Sequence, residues 1–458
     1  MGKYGTSLLQ KIWRTISAHI QYDHHWIIII LAFALLTRLP FIAHPGLTKF
    51  DEVIYVNFTL HTLNHLPFFS IHPPFIQMLF AESVRWLGPF STFELSMISS
   101  RPFGDFPLIT LRYLLAIVGS MLPVLVYLIA RILKCTPRIA ALPALFVVFD
   151  GAFILYSRTA LPDTILLFLN FFAVGAAFLM LRVKDKKIST LLLVVLSVAM
   201  GCAISIKWLA LAVLGTIWFL FLWERKYVAI ITSGLIALGV YLTIFTLFIL
   251  YFPYGGPMDY KLIPSDARPQ EEIEFPSNAS IFGALQFLPK LHERMLRVSK
   301  DTDVSNEYLF PAPGPLSWAT SHSSIYFWAD ENAKFIIFKG NTLLWSFSFF
   351  LFAFHVAWIL WHIKHKLRWP LGRDETILFV GYIFNYVPFF FIHRPMYLYH
   401  YFTALIFLFL MIPKILPRMI DCVATIIKDR GLALALVCLL FLLIFLNFIF
   451  SIPTIYGF

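Results

Sequence analysis

Two adjacent carboxylates, Asp51 and Glu52, follow the first long apolar run of the chain. An ionised carboxylate is costly to hold beside a lipid bilayer, so an acidic pair in this position usually marks a functional site. A carboxylate can also act as a general base that removes the proton of a hydroxyl group. We therefore take Asp51 and Glu52 as candidate catalytic residues and look for charges that could act with them.

Basic residues stand at the ends of later apolar runs, in short turns that hold few other charges. These residues are Arg158, Lys207 and Arg394. Cations grouped at the edge of a membrane suit the phosphate of a lipid head group. The simpler alternative is that each long side chain only reaches up to the membrane surface. Because the acidic pair and Asp163 are expected at a similar depth, we favour one shared site.

Further polar residues could support this site. Arg112 lies a few residues into the second apolar run, and pairing with the acidic residues would keep Asp51 ionised by lowering its pKa. His72 precedes Pro73-Pro74, which predicts a rigid turn before a helix that begins at Phe75. The full candidate set comprises Asp51 and Glu52 as catalytic residues; Arg158, Lys207, Arg394, His400 and Tyr399 as phosphate-binding residues; and Arg112, His72 and Asp163 as supporting residues.

The sequence indicates neither a metal centre nor a redox centre. Four histidines (His44, His61, His65 and His72) share one segment, but their spacing fits no tight ligand pattern, so no metal and no cofactor is predicted. The four cysteines lie outside the two long polar segments and form no Cys-X-X-Cys motif. A disulfide framework and a zinc finger are therefore not expected.

The composition predicts an all-α polytopic membrane protein. Of 458 residues, 59% are hydrophobic and only 13% are charged, whereas soluble domains carry about 25% charged residues. The net charge of +11 does not indicate nucleic-acid binding, because cytoplasmic loops of membrane proteins are rich in Lys and Arg. Hydropathy predicts eleven spans, at residues 26–43, 107–130, 139–156, 160–181, 189–206, 208–223, 227–252, 336–361, 375–393, 397–413 and 431–451.

The distribution of Lys and Arg predicts the orientation. Placing the N-terminus in the cytoplasm puts more than half of the 36 basic residues in cytoplasmic segments, and the C-terminus then lies outside. Two long segments, 44–106 and 253–335, would also lie outside, and 281–300 has the apolar periodicity of a helix on the membrane surface. No internal repeat of the kind found in many transporters is evident.

Five stretches of the chain carry a family resemblance: Phe50–Glu52, Phe68–Pro74, Ser157–Asp163, Lys339–Trp345 and Arg394–Leu405. Through them the chain resembles the protein O-mannosyltransferases, membrane glycosyltransferases of the GT-C class, in a compact form without a β-trefoil insert. The resemblance spans nearly the whole chain, and Ser70 stands where the family has an Asp before its His-Pro-Pro element.

This resemblance implies a single GT-C domain over residues 1–458 and a polyprenyl- or dolichyl-phosphate-mannose donor. It implies transfer of mannose, with inversion at the anomeric carbon, to Ser or Thr hydroxyls of translocated polypeptides. Asp51 would be the base, Glu52 would orient the acceptor or sugar, and the cations would hold the donor phosphate. The expected partners are the lipid-linked donor, the acceptor polypeptide, membrane lipids, and either the translocation machinery or a dimer partner.

Several alternatives stay open. The enzyme could transfer another sugar, or act on a lipid or glycan as the aminoarabinose transferases do. A transporter and a non-catalytic partner subunit are the competitors from other classes. The predicted location is the plasma membrane of a prokaryote, or the endoplasmic reticulum membrane of a eukaryote, with the site on the outer or luminal face.

Overall fold

A computed structural model describes residues 23–87, 102–259, 273–301, 313–392 and 396–458. The described chain is mainly helical. Its helices are α1 (His24–Arg38), α2 (Glu52–Leu63), α3 (Phe75–Arg85), α4 (Leu108–Ile132), α5 (Pro137–Val148), α6 (Gly151–Ser157), α7 (Asp163–Met180), α8 (Lys186–Ile204), α9 (Ala210–Trp223), α10 (Tyr227–Leu250), α11 (Ile281–Asp301), α12 (Pro315–Ala319), α13 (Thr342–Lys364), α14 (Arg373–Tyr386), α15 (Phe402–Ile427) and α16 (Arg430–Tyr456).

Seven helices of the described chain are long and apolar enough to cross a membrane. They are α4, α7, α8, α10, α13, α15 with its preceding 3₁₀ turn (Leu398–Tyr401), and α16. The pair α5–α6 would add an eighth span, bent by 64°. The prediction of an all-α polytopic membrane protein is confirmed. The count of eleven stays a prediction, because α1, α9 and α14 have only 14 or 15 residues, fewer than the about 20 that a bilayer requires.

The bend between α5 and α6 is organised by a single buried carboxylate, Asp150. Its Oδ1 accepts hydrogen bonds from the N–H groups of Ala152 and Phe153, which caps the start of α6. Its Oδ2 accepts from the N–H of Asn341 at 2.8 Å and from Nε1 of Trp345 at 2.7 Å. The bent pair is thereby tied to the start of α13.

The first long segment carries α2 and α3, and α3 begins at Phe75 as predicted. The second carries α11, whose bounds match the predicted helix at 281–300, and two short antiparallel strand pairs that the sequence did not predict. The pairs are β1 (Gly256–Pro257) with β2 (Glu274–Phe275), and β3 (Ile325–Ala329) with β4 (Phe335–Phe338).

The β3–β4 hairpin packs on the loop that carries the acidic pair. The N–H of Phe50 donates to the carbonyl of Phe327 at 3.1 Å, and the two rings stack with centroids 4.6 Å apart. The second long segment therefore contacts the first at the acidic pair, although their sequences are far apart.

Charged residues collect at both ends of the bundle. One end holds the acidic pair, the start of α4 and the turns before α7 and α9. The other holds ion pairs between Asp23 and Arg131 at 2.6 Å and between Glu224 and Arg373 at 2.8 Å. This second end is the one predicted to be cytoplasmic, and the orientation itself stays a prediction.

Candidate active site

The acidic pair lies where the loop after α1 turns into α2. Asp51 is the N-cap of α2, and its carbonyl accepts the N–H of Ile54 at 3.0 Å, but its side chain makes no capping hydrogen bond. Asp51 is partly exposed, whereas Glu52 is fully buried. Successive side chains on a helix project about 100° apart, so these neighbours enter different surroundings.

The Glu52 carboxylate is enclosed by hydrogen-bond donors. Arg112 donates to it from Nε at 2.9 Å and from Nη2 at 2.6 Å. The backbone N–H groups of Lys49 and Ala160 donate at 2.7 and 2.8 Å. Although burial acts to raise it, Arg112 and Lys49 hold the pKa of Glu52 below its usual value. Glu52 therefore joins three segments of the chain as a buried anion.

Asp51 has a different environment. Among the residues that the structure describes, none donates a hydrogen bond to its carboxylate or pairs with it. Burial raises the pKa of Asp51 to about 6, while Lys207 acts to lower it and Asp163 acts to raise it. The expectation that Arg112 would lower this pKa is wrong, because Arg112 is bonded to Glu52 and to backbone carbonyls instead. The result is a partly desolvated carboxylate suited to accept a proton near neutral pH.

Lys207 and Asp163 form a buried pair beside Asp51. The Lys207 ammonium lies 2.9 Å from both oxygens of Asp163, and each side chain is 7% exposed. Its Nζ also lies 5.2 Å from the centre of the Tyr399 ring, a cation–π contact. The turn before α9, the start of α7 and the turn before α15 thus bring three predicted residues together.

Arg158 was predicted to bind the donor phosphate, but in the structure its guanidinium contacts backbone carbonyls and an aromatic ring. Its Nη1 donates to the carbonyls of Arg38 and Pro40, and its guanidinium lies over the Tyr456 ring at 4.6 Å. The residue is only 2% exposed. Arg158 therefore holds the end of α1 against the end of α16.

His400 lines a cavity of about 190 Å³, and its ring stacks on Tyr399, the residue that contacts the Lys207 ammonium. Trp208, which follows Lys207 in the chain, forms another part of the wall, and Phe384, Phe389 and several aliphatic residues make the lining largely apolar. The imidazole of His400 stacks on Trp318 with centroids 6.0 Å apart. An apolar cavity beside a buried cation suits a molecule with an oily tail and an anionic head.

The remaining candidates lie elsewhere. His72 lines a separate small cavity with Ser70 and Gln77, and the Ser70 hydroxyl accepts the His72 N–H at 3.1 Å. Arg394 lies outside the described residues. In the described ranges, no three His, Cys, Asp or Glu side chains converge as metal ligands would.

Several residues at this end of the bundle were missed from the sequence. Lys49 is buried, and its ammonium donates to the Arg158 carbonyl at 2.7 Å. Asp150 ties α6 to α13, and Phe327 binds the loop before α2. The signal for Asp150 was available, since it is a lone carboxylate within an otherwise apolar run. Nothing in the sequence marks Phe327.

Comparison with known proteins decides the family. Residues 28–256 match the family described as Dolichyl-phosphate-mannose-protein mannosyltransferase. Residues 285–458 match the C-terminal four TMM region of protein-O-mannosyltransferase. The chain belongs to the protein O-mannosyltransferase family. The resemblance to this glycosyltransferase family is thus confirmed.

Individual relatives agree with the family but are partial matches. Protein O-mannosyltransferase 1 of Drosophila pseudoobscura pseudoobscura is 30% identical over 215 residues, covering 45% of this chain and 23% of the relative. Protein O-mannosyl-transferase 1 of Homo sapiens is 27% identical over 182 residues, covering 37% of this chain and 24% of the relative. The chain thus matches about a quarter of the length of these curated relatives.

Solved structures show the same fold. The Saccharomyces cerevisiae protein O-mannosyltransferase Pmt1-Pmt2 complex bound to the sugar donor matches with a TM-score of 0.74 at 15% identity, covering 95% of this chain and 90% of that one. The archaeal oligosaccharyltransferase AglB of Archaeoglobus fulgidus matches with a TM-score of 0.52 at 13% identity, covering 99% of this chain and 56% of that one. The GT-C fold predicted from the sequence is therefore confirmed.

Proposed function

We propose that this protein transfers mannose from a dolichyl- or polyprenyl-phosphate-mannose donor to a Ser or Thr hydroxyl of a polypeptide, with inversion at the anomeric carbon. The observation that carries the proposal is the state of Asp51, a partly exposed carboxylate with a raised pKa beside the buried Lys207–Asp163 pair. Membership of the mannosyltransferase family supports the choice of donor and acceptor.

Asp51 acts as the general base. Its carboxylate takes the proton of the acceptor hydroxyl, and the hydroxyl oxygen forms a bond to the anomeric carbon of mannose. The bond from that carbon to the phosphate oxygen breaks, and the lipid phosphate leaves with the bonding electrons. A pKa of about 6 leaves Asp51 largely ionised at neutral pH and still basic enough to take the proton.

Lys207 stabilises the phosphate that leaves. Its ammonium is buried and held by Asp163 and by the Tyr399 ring, so it is fixed in place before the substrate arrives. The lipid tail enters the apolar cavity lined by Trp208 and His400. Arg394, next to this cavity in sequence, remains a predicted phosphate ligand.

Glu52 and Arg158 act through the scaffold. Glu52 fixes the loop that presents Asp51 by bonding Arg112 and two backbone N–H groups. Arg158 fixes the preceding stretch by bonding the carbonyls of Arg38 and Pro40. Removing either group should displace Asp51, and neither group needs to contact substrate for this effect.

The test is a transfer assay on the purified protein. Protein in detergent is mixed with dolichyl-phosphate-mannose and a Ser/Thr-rich peptide, and mannosylated peptide and released dolichyl phosphate are both measured by mass spectrometry. Asp51→Asn should lower the rate about 10²- to 10⁴-fold, as expected for loss of a general base. Asp421→Asn is the matched control, since Asp421 is exposed on α15.

Two results would overturn the proposal. An Asp51→Asn variant that folds and transfers at the wild-type rate would remove the base assignment. Mannose found on an added lipid or glycan acceptor and never on peptide would favour the alternative acceptor class. The assay is run with the chain alone and with membrane extract, because the yeast neighbour is a two-subunit complex and a partner subunit is part of the proposal.

A further inference from the structure

A second cavity, lined mainly by charged residues, lies at the opposite end of the bundle from Asp51. Its volume is about 530 Å³, within the range of small-molecule sites. It is lined by the ends of α4 and α9, the start of α14 and the middle of α15. The candidate active site uses the start of α4 and the turn before α15, so the two sites are separated by most of α4 and by about half of α15.

The three carboxylates that line this cavity are already neutralised by arginines. Glu224 pairs with Arg373 at 2.8 Å, and Asp374 pairs with Arg373 at 2.8 Å and with Arg182 at 2.5 Å. The third carboxylate, Glu375, accepts two hydrogen bonds from Arg418, one of them at 2.8 Å. Three acids are thus matched by three arginines.

Two lysines remain in excess. Lys134 and Lys414 also line the cavity, and within the described part of the chain neither ammonium has an acidic partner. Lys134 follows the end of α4 and Lys414 lies on α15, so two different helices direct positive charge into one space. Counting Arg182 with the lining residues, the cavity carries two more positive than negative charges.

The start of α14 adds backbone donors to the same wall. Residues 372–375 line the cavity, and Gly372, the N-cap, has no side chain to satisfy the first N–H groups of the helix. Free N–H groups at a helix start favour anions, and phosphate in particular. The cavity thus combines an excess of positive charge with oriented donors.

We propose that this cavity binds the phosphate of an anionic ligand, either the head group of an anionic phospholipid or free phosphate. The end of the bundle that holds it is the one predicted to face the cytoplasm, where membranes carry anionic lipids. A basic pocket between helices at that depth is suited to a lipid head group, and the site has no role in the chemistry of Asp51.

The test uses native mass spectrometry of the whole protein released from detergent with phosphatidylglycerol, phosphatidylcholine or inorganic phosphate. Wild-type protein should retain phosphatidylglycerol about 10- to 30-fold more strongly than the double variant Lys134→Gln, Lys414→Gln. The matched control is the double variant Lys364→Gln, Lys366→Gln. It removes two exposed lysines that lie outside the cavity, Lys364 at the end of α13 and Lys366 just beyond it. This control should stay within about twofold of wild type.

Comparing the three ligands distinguishes a lipid head group from free phosphate, and some results would overturn the proposal. Retention of phosphatidylglycerol identifies the lipid as the source, whereas binding of inorganic phosphate alone identifies the free anion. Equal retention by the double variant and by wild type, or equal retention of phosphatidylcholine, would overturn it. If the double variant fails to fold, a salt titration of wild-type protein replaces it, and retention that does not fall with added salt would refute the site.

Discussion

The Glu52 carboxylate and the Arg112 guanidinium are joined by two hydrogen bonds, at 2.6 and 2.9 Å, although 60 residues separate them in the chain. Both side chains are fully buried. Two buried charges in this arrangement stabilise the fold only as a pair, because removing one leaves the other without compensation.

Glu52→Gln should therefore destabilise the protein strongly. The variant keeps the shape of the side chain but leaves Arg112 as an uncompensated buried cation, at an expected cost of about 3–5 kcal/mol. Thermal unfolding in detergent measures the change. The double variant Glu52→Gln, Arg112→Met should recover part of the loss, and a single variant as stable as wild type would contradict the account.

Asp51→Asn should have the opposite effect on stability. The pKa of Asp51 is raised from 3.8 to about 6 in the folded state, so its ionised form opposes folding, and this cost grows as pH rises through that range. The substitution should stabilise the protein by up to about 3 kcal/mol at pH 8 and by about half of that at pH 5. Unfolding temperatures at the two pH values test this. A variant less stable than wild type at pH 8 would show that the carboxylate is not desolvated.

Transfer activity should depend on the protonation of Asp51. The rate should fall as pH decreases through about 6, because the protonated carboxyl cannot accept the hydroxyl proton. Lys207→Met removes a positive charge that lowers the pKa of Asp51, so the midpoint of its pH–rate profile should move upward. Lys290→Met, at an exposed position on α11, is the control and should leave the midpoint unchanged. An unchanged midpoint in the Lys207 variant would disconnect Lys207 from Asp51.

The contact between α4 and α6 should tolerate no side chain at Gly119. A Cβ atom there would lie 2.2 Å from the Cβ of Ser157, so Gly119→Ala forces the helices apart at an expected cost of about 1–3 kcal/mol. Ser157→Gly removes the atoms in conflict, and the double variant should be about as stable as Ser157→Gly alone. Unfolding temperatures of wild type, the two single variants and the double variant form a double-mutant cycle. If the destabilisation of the double variant equals the sum of those of the single variants, the predicted clash is contradicted.

Much of the helical framework could be predicted because long apolar runs and a Pro-Pro turn are local signals. The helix beginning at Phe75 and the one at 281–300 were both found in place. The strands of the β3–β4 hairpin were missed because runs of four and five residues give little alternation to detect. Their contact with Phe50 depends on segments that are far apart in the chain.

The sequence predicted several of the residues that make up the candidate site, but not which residue each of them contacts. Grouping the charges at one end placed Lys207, Asp163 and Tyr399 together, as the structure does. The sequence could not show that Arg112 faces Glu52 and not Asp51, because adjacent helical residues diverge. It also could not show that Arg158 caps backbone carbonyls, since the same guanidinium donors serve carbonyls and phosphates equally well.

The four hydrogen bonds to Asp150 have a consequence for how the protein is made. Two of the donors, Asn341 and Trp345, come 191 and 195 residues later in the chain. At synthesis rates of about 5–20 residues per second, Asp150 waits on the order of 10–40 seconds for them. During that interval the nascent chain carries a half-satisfied carboxylate within an apolar segment. We therefore expect that segment either to stay near water or to carry Asp150 in its protonated form until α13 arrives.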